Sequence, residues 1–246
     1  MTDPLGPLLD LPGIAEAVQS ARETVDAVHR HPANRRGWPT TAAEASVRAA
    51  RSSAYLDGGN PEIPDEGEVT DPVLAGALRV AEALGPLLPV WQRAPLQALA
   101  RLHLLAAADL IDPAEDDRLG RPRSARGVSG RLDLLASLVT GATKAPAPVL
   151  VAVVHGELLT LAPFGVADGV VARAAARLTM IGTGLDPKGL TVPEVAYLRR
   201  PERYREAAEA FASGQPDGVR DWVVLCCEAM EIGAREATSI ADSVNA

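Results

Sequence analysis

The chain has 246 residues, a formal net charge of −8 and a pI of about 5.1; 47% of its residues are hydrophobic but only 3% are aromatic. The acidic balance argues against nucleic acid or an anionic membrane as a main partner, because both require a basic face. The length allows a substantial core, which alanine, leucine and valine must build.

No uninterrupted apolar stretch is predicted to reach the roughly 20 residues of a membrane span. The N-terminal residues also lack the basic and apolar regions of a signal peptide. The only cysteines, Cys226 and Cys227, are adjacent in sequence and are expected to be buried free thiols. We therefore expect a cytoplasmic protein that has neither a nucleic-acid nor a membrane partner.

The N-terminal third is predicted to contain an arm and two helices. Residues 1–11 carry proline and glycine breaks and are expected to lie as an arm. Over residues 13–29 the apolar positions recur every three or four residues, which predicts a helix. Residues 41–44 have the T-x-x-E pattern of a capping box, which predicts the start of a second helix that ends at Gly58.

The middle of the chain is predicted to be helical up to an irregular segment. Asp71 precedes a proline and an apolar stripe, so a helix is expected there, ending at Gly85 and Pro86. A further helix is predicted over residues 95–110, with His103 as a core histidine. Residues 111–130 follow as an irregular segment rich in charge. It contains four arginines that could either remain solvated or contact a phosphate or acidic partner, namely Arg118, Arg121, Arg123 and Arg126.

The apolar run at 149–161 is too long for a typical strand and predicts a helix. A proline- and glycine-containing turn follows at 163–169, and strong helix formers follow from Asp168, whose carboxylate is expected to cap the second helix. The backbone N–H groups of such a turn would point toward the start of the second helix and could cradle a phosphate. Further helices after this one complete an all-α, bundle-like single domain over residues 1–246, with a two-stranded flap left open as an addition.

The turn also resembles the signature of the Fic (Fido) family of nucleotidyl transferases, H-P-F-x-[DE]-G-N-G-R-x-x-R. Laid on without gaps, residues 162–173 match it at four positions, namely Pro163, Phe164, Gly169 and Arg173. The family often has a second histidine seven residues before the motif histidine, where His155 stands here. The resemblance implies that the nucleotide-binding or anion-binding loop would consist of Pro163, Phe164, Gly165, Ala167, Asp168, Gly169 and Arg173. It also implies that Phe164 is buried in the core and anchors the loop.

The departures from the signature fall on the positions that carry the chemistry. Ala162 replaces the histidine that takes a proton from the target hydroxyl, and Val166 replaces the acidic metal ligand. Val170 replaces the first arginine, and Asp168 replaces the asparagine, where a carboxylate would repel an anion. A two-residue insertion would place Asp168 on the metal-ligand position, but it would take Arg173 out of register. The resemblance therefore implies no catalytic residue and no metal ligand, with His155 and Asp168 as the only substitutes.

A second resemblance concerns the end of the helix predicted from residue 41. Many Fic proteins carry an inhibitory helix with the pattern [ST]-x-x-x-E-[GN], and Ser53, Asp57 and Gly58 fit it with aspartate in place of glutamate. The alternative is an ordinary helix end with a glycine cap. The resemblance predicts a salt bridge between Asp57 and Arg173. The family resemblance as a whole covers residues 40–235. By chain order it places a flap at 118–148.

Together these observations predict a Fic-fold pseudoenzyme that has a binding or regulatory role toward an unidentified protein partner and no cofactor. The alternative is a weakly active or divergent AMP transferase that acts on a protein hydroxyl, and only this alternative requires ATP and Mg²⁺. The sequence leaves open whether a nucleotide binds and whether the chain forms a homodimer.

Overall fold

The computed structural model describes residues 3–244, in which every regular element is a helix. The all-α prediction is therefore confirmed, and no strand occurs within residues 3–244. The α-helices are α1 (Ile14–Arg30), α2 (Ala33–Arg36), α3 (Trp38–Leu56), α4 (Pro72–Trp91), α5 (Pro95–Ala107), α6 (Val128–Ser137), α7 (Ala147–Leu161), α8 (Asp168–Gly182), α9 (Glu194–Arg199), α10 (Pro201–Ala212) and α11 (Pro216–Val244).

Helices α7 and α8 form the centre of the molecule. Helix α7 is apolar on all sides and is buried over most of its length, as expected for a helix with no polar face. One hydrophobic cluster joins α7 and α8 to α4, α5 and α6, and a second joins α7 to α1, α10 and α11. Helices α7 and α8 therefore contribute to both clusters, and the loop that joins them is attached to the first through Phe164.

Helix α3 begins earlier than the sequence predicted. The capping box at 41–44 does not form, because α3 already starts at Trp38 and Thr41 is completely buried inside it. Pro39 lies in the first turn, where the missing N–H of proline has no cost. The C-terminal end is close to the prediction, since α3 ends at Leu56.

Helix α4 continues beyond the predicted stop at Gly85 and Pro86 as far as Trp91. Leu84, Leu87 and Trp91 are buried and extend the apolar stripe, while both interior prolines lie on the exposed face. Packing of this stripe offsets the backbone hydrogen bonds that the prolines remove.

The extra length also changes how α4 compares with a membrane span. With 20 residues and a mean hydropathy of 1.5, it is the one helix within residues 3–244 long and apolar enough to cross a membrane. The sequence pattern did not indicate this length, because Gly85 and Pro86 predict the end of the helix. Core helices of globular proteins have the same composition, and α4 packs into the first cluster. The absence of a membrane partner stays a prediction.

Two segments expected to lack helices contain short ones. In the predicted arm, residues Gly6–Asp10 form a 3-10 helix and Leu5 is buried. The Asp3 carboxylate accepts a hydrogen bond from the Thr143 hydroxyl at 2.7 Å, which fixes the arm to the segment before α7. Residues Pro113–Arg118, in the segment expected to be irregular, form a second 3-10 helix. The predicted flap region, 118–148, contains α6 but no strand.

Candidate functional site

The site is built on the short loop that joins α7 to α8. Helix α7 ends at Leu161, two residues before Pro163, and α8 begins at Asp168. The loop is opened by Ala162 (φ 43°) and closed by Ala167 (φ 56°), which are the two non-glycine residues with positive φ in the described chain. This conformation costs an L-residue roughly 1–2 kcal/mol, so surrounding contacts must stabilise the loop.

The Asp168 carboxylate occupies two amides of the loop. It accepts hydrogen bonds from the N–H of Phe164 at 2.9 Å and from the N–H of Gly165 at 2.6 Å. Asp168 was expected to cap α8, but its side chain is directed back into the loop, and α8 has no side-chain cap. Burial raises the pKa of Asp168, although the two amides oppose that shift.

The Asp57 carboxylate lies at the N-terminus of α8. One of its oxygens is 2.6 Å from Nη2 of Arg173, and the other accepts a hydrogen bond from the N–H of Val170 at 3.0 Å. The predicted salt bridge is therefore confirmed, and it is direct. Gly169 makes it possible, because a Cβ added there would lie 2.3 Å from an Asp57 oxygen. The shorter aspartate thus reaches the arginine because the helices approach across a glycine.

Arg173 is almost fully enclosed, with 2% of its surface exposed. Besides Asp57 it donates to the Ser53 hydroxyl at 2.8 Å and the Ser53 carbonyl at 3.0 Å. Burial alone would lower the pKa of Arg173, but the charges and hydrogen bonds of Asp57 and Tyr204 together outweigh it, and the net shift is upward. The chain then leaves α3 through Gly58, at φ 86°. Ser53 and Asp57 therefore join the end of α3 to α8, while Gly58 ends the helix.

Phe164 is buried, with 4% exposure, which confirms its expected place in the core. Its ring stacks on His103 with centroids 4.1 Å apart and planes 5° from parallel. Nδ1 of His103 accepts a hydrogen bond from the N–H of Gly120 at 2.9 Å, so this nitrogen is unprotonated. Burial lowers the pKa of His103 to about 4, and the prediction of a core histidine is confirmed.

His155 is enclosed in an aromatic cluster in the interior. Only 1% of it is exposed, and its Nε2 lies 2.8 Å from the hydroxyl of Tyr204. The rings of Tyr197 and Trp222 also contact it. Burial, assisted by the nearby charge of Arg173, lowers the pKa of His155 to about 3. It is therefore neutral at pH 7. Because it is buried, a substrate hydroxyl would have to enter the interior of the protein to reach it.

Arg123 is a site residue that the sequence did not distinguish from the other three arginines of its segment. Its guanidinium donates from Nε to the Ala162 carbonyl at 2.9 Å and from Nη2 to the Leu161 carbonyl at 3.0 Å. It therefore binds the C-terminal end of α7, where a cation is favourable. Both predicted alternatives, a solvated segment or one that reaches an external phosphate, missed this contact.

Three positions at which the motif carries chemistry have apolar side chains. Ala162, Val166 and Val170 have no polar atom in their side chains. Within residues 3–244, no group of three or more His, Cys, Asp or Glu side chains could hold a metal ion. Three backbone amides at the loop and the start of α8 are held by carboxylates of the chain itself: those of Phe164 and Gly165 by Asp168, and that of Val170 by Asp57.

Comparison with solved structures identifies the fold. The chain is similar to a Fic family protein from Desulfovibrio desulfuricans G20, with 20% identity, a TM-score of 0.65, and coverage of 93% of this chain and 74% of the other. It is also similar to Fic-1 from C. elegans, with 14% identity, a TM-score of 0.70, and coverage of 94% and 73%. No protein-family model and no curated protein sequence matches. The chain has the fold of Fic family proteins, as its loop motif predicted.

Proposed function

We propose that this protein is a Fic-fold pseudoenzyme, which acts by binding or regulating a protein partner and does not transfer AMP. The observation that carries the proposal is the occupation of the loop by the chain's own carboxylates. Asp168 takes the amides of Phe164 and Gly165, and Asp57 takes the amide of Val170 together with Arg173. A phosphate at these positions would have to displace two negative charges.

The missing side chains support the same proposal from the chemical direction. General-base assistance contributes about 10²–10⁴ in rate, and alanine at position 162 cannot supply it. Stabilisation of charge on the transferred phosphoryl group is the larger part of such catalysis, and neither Val166 nor Val170 can hold a metal or clamp an oxygen. Loss of the histidine, the metal-binding acid and the first arginine of the motif leaves the fold intact but removes the groups that AMP transfer requires.

The alternative is a weakly active or divergent AMP transferase, which would require ATP and Mg²⁺. One observation favours it: burial raises the pKa of Asp168, which is the direction a carboxylate needs to act as a base near neutral pH. Against it, both oxygens of Asp168 are engaged by loop amides. We therefore rank this alternative second.

The proposal predicts that nucleotides do not stabilise the protein. ATP and ADP, each with and without Mg²⁺, should leave the melting temperature unchanged, because Asp168 and Asp57 already occupy the amides of Phe164, Gly165 and Val170 and repel an added anion. A bound ligand at 100 times its Kd would stabilise the fold by about 2.7 kcal/mol, which is readily measured as a thermal shift. A saturable rise in melting temperature with ATP would contradict the proposal.

A further inference from the structure

The irregular segment 119–127, between the 3-10 helix Pro113–Arg118 and α6, is attached to the α7–α8 loop at two places. The first attachment is indirect. The N–H of Gly120 donates to Nδ1 of His103, whose ring stacks on Phe164 of the loop. A Cβ added to Gly120 would lie 3.0 Å from the carbonyl oxygen of Ala100, so the segment lies directly against α5 here. This part of the segment therefore contacts both α5 and the ring that supports the loop.

The second attachment is Arg123, which binds three successive carbonyls of the loop. Its guanidinium donates to Leu161 and Ala162, and its own backbone N–H donates to Pro163 at 2.7 Å. Its side chain also crosses Gly165, where an added Cβ would lie 3.1 Å from Cδ of Arg123. A single residue thus fixes the direction of the carbonyls that leave α7.

These carbonyls and the amides that Asp168 occupies belong to adjacent residues of one short loop. The carbonyls of Leu161 and Ala162 are bound by a cation, and the amides of Phe164 and Gly165 are bound by an anion. Ala162 is held at φ 43°, a conformation that an L-residue leaves when its contacts are lost. Release of Arg123 would therefore allow the whole loop to rearrange, including the two amides.

We propose that residues 119–127 are a latch that holds the loop in one conformation. Arg123 is the positioning residue of this latch, because it makes the hydrogen bonds to the loop carbonyls. Closed, the latch holds the loop in the conformation in which Asp168 occupies the amides. Open, it lets Asp168 leave and exposes those amides to solvent or to a ligand. The proposal concerns the state of the loop and does not depend on whether the protein has enzymatic activity.

Amide hydrogen exchange tests the latch in the full chain. In Arg123→Ala, exchange at Phe164 and Gly165 should accelerate by about tenfold, the effect expected from the loss of charge-assisted hydrogen bonds. Arg123→Lys should lie between Arg123→Ala and the unmodified protein, because an ammonium cannot reproduce the planar fork of donors. Arg126→Ala is the matched control and should leave exchange at both amides unchanged. Exchange in the buried part of α11 should be the same in all four proteins.

Proteolysis supplies a second measurement that does not rely on individual amides. Arg126 precedes Gly127, so trypsin can cut there in Arg123→Ala as well as in the unmodified chain. An open latch should be cut faster at this bond. Unchanged exchange at Phe164 and Gly165 in Arg123→Ala, or acceleration in α11 by the same factor as in the loop, would overturn the latch. So would an unchanged rate of cleavage after Arg126.

Discussion

Replacing Asp57 with alanine is expected to destabilise the protein by about 3–5 kcal/mol, the range for breaking a buried ion pair from one side. The reason is the asymmetry of the pair: 2% of the Arg173 side chain is exposed, against 21% of the Asp57 side chain. Removal of the carboxylate leaves a buried guanidinium with only the neutral oxygens of Ser53 and Tyr204. It also leaves the N–H of Val170 without its acceptor.

Urea denaturation of the unmodified chain and the variant measures this difference. Asp65→Ala is the matched control, because Asp65 lies exposed in the loop before α4 and its loss should change stability by no more than about 0.5 kcal/mol. A cost below about 1 kcal/mol for Asp57→Ala would place the pair among solvent-screened surface bridges and refute its structural role.

The second large effect is expected at Phe164. Truncation to alanine should cost about 3–5 kcal/mol, because it leaves a cavity beneath the loop and removes the ring that stacks on His103. Phe164→Leu is the matched comparison: it keeps most of the volume but loses the stacking, so its cost should be clearly smaller. Thermal or urea unfolding of the three proteins gives both values.

These measurements test whether Phe164 attaches the loop to the core. If Phe164→Ala melts at the same temperature as the unmodified chain, the ring does not stabilise the fold and the loop is not held against α5. If Phe164→Leu is as destabilising as Phe164→Ala, stacking on His103 dominates over filled volume.

The features that could be predicted from sequence are those determined by nearby residues. The apolar run of α7, the proline after it and the helix formers of α8 define helix, loop and helix within one short stretch. The Asp57–Arg173 bridge spans 116 residues, but the motif resemblance supplied both partners, and the distance of 2.6 Å confirms them. Burial of Phe164 follows from the same motif.

The features that the sequence did not predict depend on tertiary packing. Pro86 would end a helix in isolation, yet α4 continues because Leu87 and Trp91 gain burial beyond it. Arg123 cannot be distinguished from Arg121 by composition, and only the folded chain places its guanidinium against the end of α7. The direction of the Asp168 side chain was predicted wrongly for a similar reason. The left-handed Ala162 and Ala167 bring the loop amides within its reach, and local propensity does not indicate that conformation.

The most direct test of the central claim is the transfer of labelled AMP from ATP, assayed with Mg²⁺ on the purified protein and on a cell lysate. The absence of polar side chains at Ala162, Val166 and Val170 predicts no incorporation into the protein itself or into any lysate protein, while an active AMP transferase assayed in parallel labels its target. Incorporation by this chain that disappears in Asp168→Ala would contradict the account and establish the protein as an enzyme.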